Sequence, residues 1–199
     1  MGKAQSRGPQ KHSETRNRKR DRRGASRPGV VLTIGHSNRS LEDFLQLLLA
    51  HRVTLLVDVR KLPGSRKNPQ FDQDRLSQAL REAGIGYLHV PGLGGLRRRT
   101  LNSPNSGWRN ASFQAFADYM LTDEFERSLT ELTERARDER VALMCAEAVP
   151  WRCHRSLIAD ALLVRGIPVE DIFTATRVEP HVLHSFARVE GTRITYPPQ

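Results

Sequence analysis

Cysteine is almost absent from this chain: only Cys145 and Cys153 occur among its 199 residues. Two cysteines eight positions apart cannot supply the disulfide framework of a small secreted domain, so a cytoplasmic, reducing location is expected. Long apolar runs are also missing. No stretch approaches the roughly 18 residues of a membrane span, and no membrane partner is expected. Acid is scarce in the first 29 residues, where Glu14 and Asp21 stand against ten Lys or Arg. That segment has only Met1, Ala4 and Ala25 as apolar side chains, so it lacks the apolar core of a signal peptide and the apolar face of a transit peptide. It cannot bury enough surface to offset its ordering entropy, and residues 1–29 are expected to be a disordered basic arm.

Most of the net charge of +10 sits in that arm, and the remaining residues carry 22 basic against 20 acidic side chains. Such an arm suits sequence-independent contact with nucleic-acid phosphates, and it equally suits a solvated tail that aids solubility.

Beyond Gly29 the pattern becomes regular. Short apolar runs at Val30–Ile34, Val53–Val59, Gly86–Val90, Val141–Cys145 and Val169–Thr174 read as strands. Between them lie helical patterns: one capped by Ser40 with Asp43 in the capping-box position, then 72–83, 113–121, 123–138 and about 152–165. Alternation of this kind predicts a single α/β domain over 30–199. Its sheet should be mainly parallel, of about five strands, with helices on both faces. The stretch Pro180–Gln199 has no clear pattern.

In parallel sheets, ligands bind beyond the carboxyl ends of the strands. The chemically distinctive residues fall there: His36 after the first strand, Arg60 after the second, His89 in the third, and Cys145 with Glu147 after the fourth. Arg60 and Arg155 suit a bidentate clamp on a phosphate or carboxylate, with Ser65 and Ser37 as hydroxyl donors. Glu147 suits a general acid or base, or else an ion pair with Arg152, Arg155 or Arg60. Cys153, placed in the first turn of a helix, suits a nucleophile with a lowered pKa, or else an inert half-buried thiol. His36 suits a base or a hydrogen-bond donor, or else a ring satisfied by a backbone carbonyl. The arginines Arg97, Arg98 and Arg99 with Trp108 suit a nucleic-acid contact, or a solvated loop with one anchoring tryptophan. Neighbouring residues on a helix point about 100° apart, and Cys145-x7-Cys153-His154 is not a standard zinc spacing. No metal or other cofactor is therefore expected.

Several blocks in order carry a resemblance. Thr33-Ile-Gly-His-Ser37, Asp58-Val-Arg60 with Pro63 and Ser65, Leu93-Gly-Gly95, Tyr119-Met120, and Cys145-Ala-Glu147 with Pro150 and Cys153-His-Arg155 resemble the signature blocks of a bacterial family, domain of unknown function 488. The resemblance runs from about Thr33 to about Ile172 and leaves the arm outside. It implies membership and no particular reaction. The order of elements around Leu55–Arg60 and Cys145–Gly166 is also similar to rhodanese-like domains, in which backbone N–H groups cradle a strand-end cysteine. Here Pro150-Trp151 stands in place of the glycine-rich cradle, and the Cys145 to Arg152 spacing is one residue longer than a phosphatase loop.

Two functions follow as expectations. One is an enzyme whose anion-binding site takes a phosphorylated or nucleotide-like small molecule. The alternative is a nucleic-acid-associated binding protein that uses the basic arm and the Arg97–Arg99 loop.

Overall fold

The computed structural model describes residues 1–2, 29–64 and 66–198. The basic arm falls almost wholly outside the described residues, and so does Ser65.

Strand β1 (Val31–Gly35) is buried along its whole length. Its successor, helix α1 (Leu41–Ala50), begins where the sequence pattern places it. The Ser40 hydroxyl accepts from the Asp43 N–H at 3.0 Å and donates to the Asp43 carboxylate at 2.7 Å, which satisfies an otherwise orphaned helix donor. Strand β2 (Leu55–Asp58) leads to α2 (Gln73–Glu82). A turn through Gly84, with φ of 75°, follows α2; glycine enters this left-handed region without steric cost. Strand β3 (Gly86–His89), α3 (Ala111–Tyr119), α4 (Asp123–Arg135), β4 (Val141–Cys145), α5 (Arg155–Leu163) and β5 (Val169–Thr174) complete the alternation.

The main sheet has six strands in the order β3-β2-β4-β1-β5-β6, one more than expected. The added strand, β6 (Arg177–Pro180), runs antiparallel to β5. Its proline is tolerated because an edge strand has one side free of ladder bonds. The unpatterned C-terminal stretch folds into a separate hairpin, β7 (Arg188–Glu190) with β8 (Arg193–Thr195).

Side chains alternate across the parallel strands and build two apolar layers. On one face Leu32, Ile34, Leu56 and Met144 meet Phe44 and Leu48 of α1 and Leu76 and Leu80 of α2. On the other, Val57 and Leu143 meet Phe116 of α3, Leu129 of α4 and Leu157 of α5. The fold is thus a single α/β domain with helices on both faces. No helix among the described residues is long and apolar enough to cross a membrane.

The strand order decides where chemistry can gather. β4 lies between β1 and β2, with Gly35 beside Cys145 and Asp58 beside Met144. The carboxyl ends of these three strands are therefore neighbours at the middle of the sheet.

Candidate functional site

Beyond those strand ends lies a cavity of about 650 Å³. Its lining includes His36, Ser37, Arg60, Cys145, Glu147 and Cys153, residues that are far apart in the chain. The loop after β4 is held against β1 by three devices. The N–H groups of His36 and Ser37 donate to the carbonyls of Cys145 and Ala146 at 3.0 and 2.9 Å. Gly35 permits the close approach, since a Cβ there would lie 1.8 Å from the Glu147 carbonyl oxygen. From beneath, the Arg155 guanidinium donates to the carbonyls of Glu147 and Ala148 at 2.6 and 3.0 Å and to the Thr33 hydroxyl at 3.3 Å.

That engagement changes the expected role of Arg155. It is 1 % exposed, its fork is used on backbone carbonyls, and it does not line the cavity. The expected Arg60–Arg155 clamp is not formed, because the Arg155 fork is turned onto the Glu147 and Ala148 carbonyls and is buried away from the cavity. Arg60 does reach the cavity. Its Nη2 lies 2.6 Å from the buried Asp58 carboxylate, and the same nitrogen donates to the Phe71 carbonyl at 2.9 Å. Tyr87 donates to the same carboxylate at 2.8 Å, and burial together with that charge raises its pKa. His89 lies 2.9 Å from the Arg60 carbonyl, which fixes the turn after β2.

His36 is buried, and its ring stacks on Phe71 at 4.3 Å. Burial lowers its pKa, with the Arg60 charge acting in the same direction. The neutral imidazole donates from Nδ1 to the Ser37 carbonyl at 2.8 Å, and its Nε2 faces Arg60 Nη1 at 3.5 Å. It therefore steadies Arg60 and satisfies a backbone carbonyl at once. Ser37 itself turns the chain at φ of 51°. Glu147 is exposed at the cavity wall. None of its expected ion pairs with Arg152, Arg155 or Arg60 is formed among the described residues.

The two cysteines come together at the floor. Cys153 does not lie in the first turn of a helix, as expected. It follows a 3-10 turn at Pro150–Arg152, has extended backbone (φ −131°, ψ 140°), and precedes α5. Pro150 opens that turn and displaces the start of the α-helix to Arg155. Burial pushes the Cys153 thiol well up, whereas hydrogen bonding from Cys153 holds Cys145 well down, with His154 adding to the effect.

The proposed nucleic-acid loop is largely committed to the fold. Arg97 donates to the carbonyls of Gly94, Gly92 and Pro91 at 2.9, 3.0 and 3.2 Å and lies 3.4 Å over the Tyr119 ring. Arg99 donates to Gln114 at 3.0 Å. Arg98 and Arg99 are both exposed, and of the three only Arg98 has no side-chain partner among the described residues. Trp108 packs among Phe113, His184, Phe186 and Tyr196, with ring centroids 4.9 to 5.3 Å away.

Sequence reasoning passed over Lys61 and Arg152 as cavity residues, along with Leu62, Leu96 and Phe113. Lys61 and Arg152 adjoin the Asp58-Val-Arg60 and Cys153-His-Arg155 blocks, and that adjacency was the available signal.

The family described as "Domain of unknown function DUF488" matches residues 40–162, more than half of the chain. The chain belongs to the DUF488 family. No curated protein and no solved structure matches it significantly. The DUF488 match takes in the cavity-lining residues from Arg60 to His154 and leaves out His36, Ser37 and Asn38.

Proposed function

We propose that this DUF488 protein is an enzyme acting on a small phosphate-bearing, nucleotide-sized substrate bound in the cavity beyond β1, β4 and β2. One observation carries the reading: two exposed cations without ion-pair partners among the described residues, Lys61 and Arg152, line the same cavity as the apolar Leu62, Leu96 and Phe113. A volume of about 650 Å³ falls within the usual range for small-molecule sites, and unneutralised cations beside apolar walls suit an anion attached to a flat or apolar body. Arg60 contributes less charge, since Asp58 neutralises it. Ser37 supplies a hydroxyl at the rim, and Glu147 is the group free to move a proton. His36 acts through Arg60.

The alternative, a nucleic-acid-associated binding protein, draws on Arg98 and the arm. It has less support, because Arg97, Arg99 and Trp108 are already engaged within the fold. Its signature would be binding that weakens steeply with salt and disappears when residues 1–29 are deleted.

The test is a thermal-shift series on the full chain with inorganic phosphate, pyrophosphate and nucleoside monophosphates, beside a Lys61→Ala/Arg152→Ala variant. A ligand at one hundred times its Kd stabilises by about 2.7 kcal/mol, a rise of roughly 5–11 °C in Tm for a chain of this size. The variant should lose that rise while its ligand-free Tm stays unchanged. Absence of any shift, or an equal shift in the variant, would refute the anion site. Once a substrate is in hand, Glu147→Gln should abolish turnover without altering the fold, and normal turnover would remove Glu147 from the mechanism.

A further inference from the structure

Two side-chain clusters bring together groups able to ligate a cation: Asp160 with His181 and His184, and Cys145 with Cys153 and His154. They differ in how their atoms are already used. Asp160 accepts from Tyr196 at 2.7 Å and lies 2.8 Å from His181 Nε2 and 2.6 Å from His184 Nδ1. Both of its oxygens are engaged by direct hydrogen bonds, and the cluster is complete as a structural network.

The cysteine cluster is spaced differently. His154 Nδ1 lies 3.7 Å from Cys153 Sγ and 3.9 Å from Cys145 Sγ, and the three ligand atoms all fall within 4.8 Å of one another. A tetrahedral ion with Zn–S of about 2.3 Å and Zn–N of about 2.0–2.1 Å holds its sulfur and nitrogen ligands roughly 3.5–3.6 Å apart. The two sulfur–nitrogen separations need to contract by only a few tenths of an ångström, and the two sulfurs, within 4.8 Å of each other, would close to roughly 3.8 Å. The other ring nitrogen of His154, Nε2, lies 3.2 Å from the Val59 carbonyl. A carbonyl can only accept there, so in the neutral ring the proton sits on Nε2 and the Nδ1 lone pair is the one that faces the two sulfurs. A backbone or carboxylate acceptor on the far nitrogen is the usual support of a metal-bound histidine.

Space is also provided. A Cβ on residue 95 would lie 3.1 Å from His154 Nδ1, so Gly95 keeps that side of the ring open. Cys145, Cys153 and His154 all line the cavity. A fourth coordination position would therefore face the cavity and not the core. The extended backbone at Cys153 removes the objection from helical geometry, because residues 153 and 154 do not share a helix and their side chains can converge.

We infer that Cys145, Cys153 and His154 form a three-ligand site for a thiolate-preferring divalent cation such as zinc, with the fourth position open to the cavity. Three protein ligands and one open position are the arrangement of catalytic zinc sites, whereas structural sites are closed by four. The inference does not depend on the anion reading, since the ligand set contains none of the cavity's cations.

The test is an anaerobic cobalt(II) titration of the full chain, without a histidine tag, after treatment with chelator and thiol reductant. One equivalent of cobalt should produce a thiolate-to-cobalt charge-transfer band and the intense visible bands of a tetrahedral ion. Zinc should abolish both and should protect both thiols from iodoacetamide. Cys145→Ser and Cys153→Ser should each reduce the charge-transfer intensity, since one thiolate remains, and weaken zinc binding by more than the about 10- to 100-fold that outer partners alone contribute. Binding at the Asp160 cluster would give no thiolate band, so the two clusters are separated by the same spectrum. A folded, reduced protein with two reactive thiols and no charge-transfer band would overturn the site. Full intensity in both serine variants would overturn it as well. Should a variant not fold, the wild-type spectrum and the zinc protection decide alone.

Discussion

Replacing Arg155 with Met separates two roles for this side chain. In the structure the guanidinium is buried and donates to the Glu147 and Ala148 carbonyls at 2.6 and 3.0 Å. Methionine keeps most of the stem's packing but donates nothing, so both carbonyls lose a charge-assisted partner. Bonds of this class contribute about 1.5–3 kcal/mol each, which makes the expected loss roughly 3–6 kcal/mol. Against a total stability of about 5–15 kcal/mol, this is a large fraction. At about 2–4 °C per kcal/mol for a chain of this size, Tm should fall by at least roughly 6 °C, and urea unfolding should shift to a lower midpoint with unchanged slope. Arg155→Lys should fall in between, because an ammonium on a shorter reach keeps at most one of the two bonds. If Arg155 were instead half of an anion clamp, the ligand-free protein would be unaffected and only ligand binding would be lost. A Tm change below about 2 °C in Arg155→Met would refute the structural role.

Two further outcomes are expected. Trp108→Ala should cost about 3–5 kcal/mol in urea unfolding while Arg98→Ala leaves stability unchanged; the reverse order would mean that Trp108 is not anchored in its aromatic cluster. Although burial opposes its charge, His181 has its pKa raised from 6.5 to about 9 by the Asp160 and Asp171 carboxylates. A raised folded pKa stabilises fully below the unfolded value, so this contribution should be present at pH 6 and lost as pH rises through about 9. Denaturant melts of wild type and His181→Gln across that range should converge at high pH, and a constant gap would contradict the assignment.

The alternation of strands and helices was legible because each element carries its own local signal: the Ser40 cap, Gly84 after α2, and apolar faces of the correct period. The family blocks and the gathering of His36, Arg60, Cys145 and Glu147 near strand ends were legible for the same reason, since βα loops follow their strands directly. What the chain order does not contain is adjacency. That β4 inserts between β1 and β2 depends on long-range pairing, and this pairing sets Cys145 beside Gly35. The partners of a guanidinium are likewise settled by packing: Arg60 and Arg155 look alike in sequence, yet one lines the cavity and the other holds backbone carbonyls beneath it. The edge strand β6 and the hairpin β7–β8 gave weak signals, being only four and three residues long and mostly exposed. Local propensity and periodicity thus determined which elements form. Tertiary packing alone decided which polar groups remain available for chemistry, because availability is what remains after buried hydrogen bonds have been satisfied.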